Sequence, residues 1–189
     1  MLSKRLFLAT IGAAMLSSAC TTTSSSSGTA AADKRRAIDA EVDGALGKLA
    51  SQVPSSKDLV SKAKGVLVFP SVLAAGFGIG GSYGQGALRV GGKTEGYYST
   101  TAASVGLIAG AESKAVYVLF MTQEELDKFR ASRGWTAGAD ASVTMIRTGA
   151  SASVDTQTAR QAVVGYVLSN AGLMADLSID GTKVNKLDL

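Results

Sequence analysis

Residues 64–90, KGVLVFPSVLAAGFGIGGSYGQGALRV, decide how this chain folds. The segment opens with the apolar run 66–69, which we expect Pro70 to stop, and then becomes dense in glycine. Between Tyr83 and Val90 the residues alternate with a period of two, which is typical of a strand. Because glycine weakens a strand, so many glycines indicate bends, bulges or close backbone approach. The segment therefore predicts strands that bend and pack tightly.

The same segment resembles the opening signature of the SYLF domain family. The runs that carry the resemblance are KGVLVFP at 64–70 and AGFGIGGSYGQGAL at 75–88. The similarity continues through GWTAGADAS at 134–142 and LSIDG at 177–181, and it covers the chain from about residue 32 onward. Eukaryotic members bind phosphoinositide membranes, and many occur in actin-regulating proteins. The resemblance therefore implies a lipid-binding domain, although an exported bacterial protein would not meet actin in its own cell.

The composition fits one globular domain with processed or unstructured ends. Of 189 residues, 46% are hydrophobic and 18% are charged, which is enough apolar material for a core. The chain contains no His, which removes the commonest general base and the usual zinc ligand. The net charge is +4, and removal of a leader that contains Lys4 and Arg5 would lower it by two. This charge is too small to indicate a nucleic-acid partner.

The N-terminal segment has the pattern of an export signal. Lys4 and Arg5 precede an apolar run at 6–16, and small residues at 17–19 precede Cys20, the only cysteine. We predict a signal peptide at 1–19, a lipidated Cys20 followed by a flexible Ser/Thr linker up to residue 32, and a SYLF-like domain at 33–189. Cleavage by an ordinary signal peptidase remains the alternative. Thr21 favours sorting to the periplasmic face of the outer membrane in a Gram-negative cell.

Two helices are predicted before the glycine-rich segment. Asp33 can cap a first helix that carries apolar residues at helical spacing up to residue 53, and Ser56 can cap a second, shorter helix. Their basic residues are the predicted lipid-binding residues, since related domains use this region and a basic patch against membranes. The alternative is that both helices pack on the domain and expose solvated charges. The basic residues are Lys34, Arg35, Arg36, Lys57, Lys62 and Lys64.

The sequence contains no pattern that indicates nucleotide binding or catalysis. GFGIGG at 76–81 satisfies G-x-G-x-x-G, but a strand pattern follows it where a dinucleotide site requires a helix. No Walker-type motif, cation-binding loop or nucleophile–base pair is present. We therefore expect no enzymatic activity, no catalytic or metal-binding residues, no cofactor and no nucleotide.

The remainder of the chain predicts several further strands and one helix. Gly91 and Gly92 predict a turn, and residues 115–121 are apolar on both faces, as in a central strand. Residues 122–125, TQEE, form a capping box for a helix, and residues 162–168 form another apolar strand. We predict an α+β fold with a large antiparallel sheet, curled into a sandwich or partial barrel, with N-terminal helices and one inserted helix.

These observations predict a membrane-anchored periplasmic lipoprotein whose SYLF-like domain binds phospholipid and prefers anionic headgroups. Membrane phospholipids are the predicted partners. The alternative is a structural envelope lipoprotein that binds an envelope protein partner and has no intrinsic lipid recognition. Vesicle binding separates the two hypotheses.

Overall fold

Three helices and one curled sheet make up the described part of the chain. The computed structural model describes residues 27–146, 161–170, 172–173 and 178–189. The helices are α1 (Ser27–Gln52), α2 (Ser56–Lys62) and α3 (Gln123–Ala131). The strands are β1 (Gly65–Val90), β2 (Lys93–Phe120), β3 (Gly134–Thr136), β4 (Thr144–Met145), β5 (Val163–Ser169), β6 (Gly172–Leu173) and β7 (Lys183–Leu187). The predicted α+β class, with N-terminal helices and one inserted helix, is confirmed.

One long hairpin forms most of the sheet. β1 has 26 residues and β2 has 28, and they pair antiparallel from Gly65 opposite Phe120 to Val90 opposite Lys93. The predicted turn at Gly91 and Gly92 is confirmed, because both residues have positive φ, 56° and 80°, as the tightest hairpin turns require. The expectation that Pro70 ends the first strand is wrong. It lies in an irregularity of the pairing, where a missing N–H is tolerated.

The hairpin bends so sharply that the two arms of β1 touch each other. A Cβ atom on Gly86 would lie 1.9 Å from the carbonyl oxygen of Val68, and one on Gly84 would lie 2.8 Å from that of Ser71. At the bend itself, a Cβ on Gly76 would lie 2.4 Å from the Cα of Gly80. These glycines therefore permit close backbone approach, as the sequence predicted.

The other strands pair with the two ends of β2. Residues 97–101 of β2 pair with β7, and residues 115–120 pair with β5. All named pairs are antiparallel except β4 with β5, which is parallel. Because one bent strand has different neighbours at its two ends, the sheet curls, and the predicted partial barrel is confirmed.

Two apolar clusters lie on opposite faces of the sheet. Along β2, Val118 and Phe120 belong to the cluster under α3, whereas Tyr117 and Leu119 belong to the cluster under α1. Residues 115–120 are all buried, so the prediction of a central strand covered on both faces is confirmed. The α1 side chains that reach this second cluster are Ile38, Val42, Ala45 and Leu49.

The helix boundaries differ partly from the sequence predictions. α1 begins at Ser27 and not at Asp33, so residues 27–32 of the predicted flexible linker are helical. Three consecutive alanines at 30–32 explain this, since alanine has the highest helix propensity. Ser56 is buried inside α2 and does not cap it. The capping box of α3 is supported by Thr122, whose hydroxyl accepts the Glu125 N–H at 3.4 Å.

The C-terminal part is described only in pieces. Residues 172–173 form β6 and pair with β5, and residues 174–177 lie outside the described residues. The turn at Asp180 and Gly181 is present, with φ 78° at Gly181 and a hydrogen bond from the Thr182 N–H to the Ile179 carbonyl. Residues 147–160 also lie outside the described residues.

Substitution of Gly86 tests the contact between the arms of β1. Gly86→Ala should lower the free energy of unfolding by about 3 kcal/mol, because the new methyl group collides with the Val68 backbone. Gly44→Ala is the matched control. Nothing lies within 4 Å of its Cβ position, so this substitution within α1 should gain up to about 1 kcal/mol. Urea denaturation measures both, and equal stabilities would contradict the described contact.

Two buried tyrosines should make the fold sensitive to alkali. Burial raises the pKa of Tyr117 and Tyr166 from 10.0 to about 12. Both phenols are neutral below pH 10 whether the chain is folded or not, whereas between pH 10 and 12 only the unfolded chain ionises them. The free energy of unfolding should therefore fall across that interval. Urea titrations from pH 9 to 12 measure the fall, and a Tyr117→Phe/Tyr166→Phe variant should show a shallower one.

Candidate functional site

A polar cluster fixes α1 on the long hairpin. Asp39 of α1 accepts hydrogen bonds from the hydroxyls of Thr94, at 2.6 Å, and Tyr97, at 2.9 Å. Arg89 of β1 donates to the Asp39 carbonyl at 3.2 Å and to the Asp43 carboxylate at 2.7 Å. Burial and the bond to Asp39 raise the pKa of Tyr97, so its phenol remains a donor. The orientation of α1 is therefore set by directed bonds as well as by apolar packing.

The N-terminal end of α1 points towards the bend of the hairpin. In the middle of α1, the Ala45 carbonyl accepts a hydrogen bond from the Tyr117 hydroxyl, and nearer the start Lys34 lines a cavity together with Leu73. Tyr117 pairs with Val68, and Leu73 lies closer than Val68 to the bend at Phe77. The beginning of α1 and the bend therefore lie at the same end of the molecule.

Large apolar side chains are exposed at this bend. Leu73, Phe77, Ile79 and Tyr83 have exposed fractions of 55%, 89%, 75% and 50%, and we call these four residues the apolar tip. They are the exposed large hydrophobic residues among the positions whose burial is described, which do not include 104–109. Single exposed apolar residues are common, but a cluster on one protruding segment is typical of an interaction surface.

The parts of β1 and β2 that flank the bend carry no charge. Residues 65–88 and 96–111 contain no Asp, Glu, Lys or Arg. In the pairing register, Phe77 is opposite Ala109 and Ile79 is opposite Val105. The bend is thus a paired, uncharged ribbon with Phe77 and Ile79 at its most exposed point.

A cavity joins the apolar tip to the start of α1. It has a volume of about 410 Å³ and is lined by Lys34 and Ala37 from the helix and by Leu73 and Tyr83 from the tip. Gln85 donates to the Tyr83 hydroxyl at 2.7 Å and forms part of its wall. Lys34, the acidic Glu41 and apolar side chains therefore border the same concave surface.

The structure separates the predicted lipid-binding residues into two groups. Lys34, Arg35 and Arg36 lie near the start of α1, and Arg36 forms an exposed ion pair with Asp33. The other three are exposed and lie on or just after α2, which follows the end of α1. The 17 residues from Arg35 to Gln52 span about 25 Å of helix. Lys57, Lys62 and Lys64 are therefore remote from the apolar tip, and Cys20 lies outside the described residues.

Two further lysines border a second cavity beside α1. Lys48 of α1 and Lys114 of β2 line a volume of about 310 Å³, together with Glu41 and the hydroxyls of Ser71 and Ser113, which lie 2.9 Å apart. Burial lowers the pKa of Lys114, and Glu112 partly opposes this effect. The cavity shares Glu41 and Ser71 with the first one, so the two are neighbours along α1.

Sequence reasoning missed the apolar tip. A period of two predicts a strand with buried apolar side chains, but it does not give the position of a bend. A usable signal was present, namely the long interval without charge on both strands. Tyr97 and Tyr98, which precede the uncharged part of β2, both make contacts within the domain. Tyr97 bonds to Asp39, and Tyr98 is buried against Phe129 with ring centroids 4.9 Å apart.

Among the described residues, no helix is long and apolar enough to cross a membrane. Within the same ranges, no group of three or more His, Cys, Asp or Glu side chains could hold a metal ion.

Comparison with known proteins supports the resemblance found in the sequence. Residues 101–188 match the Ysc84 family, which is described as "Las17-binding protein actin regulator" and corresponds to the SYLF domain. The matched stretch contains most of β2 and all of the following elements, whereas β1 precedes it. No curated protein matches the sequence.

Substitution of Asp39 tests how α1 is held. Asp39→Ala removes the acceptor of Thr94 and Tyr97 and should lower the free energy of unfolding by about 1–3 kcal/mol. Amide hydrogen exchange within α1 should accelerate. Asp33→Ala, which removes only an exposed ion pair at the start of the helix, should change stability by less than about 0.5 kcal/mol. Indistinguishable exchange in the two variants would contradict the role assigned to Asp39.

Proposed function

We propose that this chain, which contains a domain of the Ysc84 (SYLF) family, associates with phospholipid membranes and prefers anionic headgroups. The function is attachment to a bilayer surface and not the conversion of a substrate. In the complete proposal, an acylated Cys20 supplies a permanent anchor on the periplasmic face of the outer membrane, and the folded domain adds a direct contact with lipid.

The position of the basic start of α1 beside the apolar tip carries this proposal. Lys34 borders the same cavity as Leu73 and Tyr83, and Arg35 is its neighbour in sequence. A bilayer interface presents anionic headgroups above an apolar layer, so adjacent cationic and apolar groups match it. Each basic side chain close to an anionic surface contributes about 1 kcal/mol of attraction. Lys48 and Lys114 border the neighbouring cavity along α1, where Glu41 offsets one of their two positive charges.

The predicted anchor is compatible with this orientation. Cys20 precedes Ser27, the first residue of α1, by seven positions. An extended chain of that length spans at most about 25 Å, so an anchor at Cys20 would keep the start of α1 near the bilayer. One acyl chain binds a membrane only marginally and several together anchor it stably, so a contact from the domain would mainly orient an anchored protein.

The alternative function is that of an envelope lipoprotein that binds a protein partner. The description of the matched family names a protein, Las17, as a binding partner. An apolar tip can also enter a groove on another protein. The proposed lipid contact differs from this alternative because it needs no second protein.

Vesicle co-sedimentation of a form that begins at Thr21 tests the proposal. This form lacks the predicted anchor and keeps every described residue. It should sediment with vesicles that contain phosphatidylglycerol and much less with vesicles of phosphatidylcholine alone. The bound fraction should decrease between 50 and 500 mM salt (about 14 and 4 Å of screening length), because salt screens exposed charges. Equal indifference to both vesicle types would remove the lipid-binding function.

Charge reversal at the two groups of basic residues identifies the contact. Lys34→Glu/Arg35→Glu should reduce binding to anionic vesicles by about tenfold or more. Lys57→Glu/Lys62→Glu changes the net charge by the same amount at the other end of α1 and is the matched control, which should retain most of the binding. If both pairs weaken binding equally, net charge and not the start of α1 is responsible.

A further inference from the structure

Phe77 and Ile79 are more exposed than any packing role would require. Phe77 is 89% exposed and Ile79 is 75% exposed, whereas Phe69, Phe120 and Phe129 are buried. Their position also does not serve the fold, since the close backbone contact at the bend is made by Gly76 and Gly80. The two side chains therefore need an explanation outside the domain.

We propose that the side chains of Phe77 and Ile79 enter the bilayer as an apolar wedge. This contact adds to the electrostatic contact made by the charged start of α1. This inference rests on the proposed function, because it identifies which surface of the domain penetrates the lipid. The occupant of the apolar tip is then the region between headgroups and acyl chains of a phospholipid membrane.

The absence of charge around Phe77 and Ile79 favours lipid over water as their surroundings. Residues 65–88 and 96–111 can approach the apolar layer without removing a formal charge from water. Further inward the charges are of both signs, since Glu112 pairs with Ala74, Lys114 pairs with Val72, and Lys34 borders the cavity beside Leu73. The order from the outermost point inward is therefore apolar, then charged with basic groups included, which suits a bilayer whose charged headgroups follow its apolar layer.

The backbone of the ribbon limits how deep the wedge can go. At the bend, Gly76 pairs with Gly110 and Gly80 pairs with Ser104, so β1 directs hydrogen bonds towards β2. A two-stranded ribbon still has unpaired outer edges, and these cannot lie in hydrocarbon. We therefore assign to the tip an interfacial depth, at which side chains reach the acyl region and the backbone edges remain among headgroups and water.

A tryptophan introduced in place of Phe77 reports insertion directly. The sole native tryptophan, Trp135, is 2% exposed in the cluster under α3, so its emission should not respond to vesicles. With Phe77→Trp in the form that begins at Thr21, anionic vesicles should shift the emission to the blue. Lipids brominated on their acyl chains should quench it. The unsubstituted form, with Trp135 alone, provides the background for both measurements.

Removal of the wedge should weaken binding without affecting the fold. Phe77→Ser/Ile79→Ser should reduce affinity for phosphatidylglycerol vesicles by at least about tenfold, because the lost area is mainly apolar. Phe77→Leu/Ile79→Leu keeps the apolar character and should retain most of the affinity. The melting temperatures of both variants should remain close to that of the unsubstituted form, since the replaced side chains are exposed.

The outcomes separate this inference from the proposed function. Suppose that the unsubstituted form binds vesicles, that the serine variant binds equally well, and that vesicles leave the emission of the Phe77→Trp variant unchanged. The wedge is then overturned and lipid association stands. If the unsubstituted form binds no vesicle, the proposed function itself fails.

Sedimentation velocity in the absence of lipid tests whether the apolar tip binds a second copy of this chain instead. A concentration-dependent dimer that disappears in the serine variant would identify a second copy of this chain as the occupant of the apolar tip. That result would also overturn the wedge.

Discussion

The contact between the two arms of β1 is the constraint on which the rest of the structure depends. Gly86 allows its strand to lie against the carbonyl oxygen of Val68 at a distance that no side chain could occupy. This contact requires the hairpin to turn back on itself, which places the bend at one extremity. The same folding leaves the two halves of β2 available to different partners, β5 and β7. The curled sheet, the cavities beside α1 and the apolar tip all follow from this one close approach.

Elements with a local physical cause were predictable from the sequence, whereas features that depend on tertiary packing were not. The strands at 115–120 and 163–169, the α3 cap and the turn at Gly91 were predictable, because periodicity, capping residues and paired glycines have local physical causes. The continuity of β1 through Pro70 was not predictable, because a bulge is a tertiary adjustment of register. The start of α1 was misjudged because the serine-rich composition before it resembles a linker, although three alanines favour helix.

The candidate site was only partly visible in the sequence. Basic residues at 34–36 were identified as a group, but their proximity to Leu73 and Tyr83 depends on how α1 packs across the hairpin. Conversely, the lysines at 57, 62 and 64 look like part of the same patch and lie at the other end of α1. Proximity along the sequence therefore does not show which charged side chains lie on the same surface. The periodicity of α1 does not show which part of the hairpin the helix packs on. The hydrogen bonds that Asp39 accepts from Thr94 and Tyr97 fix that position.

The place of β7 beside β2 has a consequence for biosynthesis. Residues 97–101 of β2 pair with β1 on one side, and their neighbour on the other side is Lys183–Leu187, which is synthesised much later than the hairpin. Until then, a nascent chain with a completed hairpin has an open edge on its central strand, and an open edge is a template for pairing with other chains. Ribosome stalling before β7, or proteolytic removal of β7, would therefore yield an aggregation-prone chain that depends on chaperones, even though most of the sheet has already been synthesised.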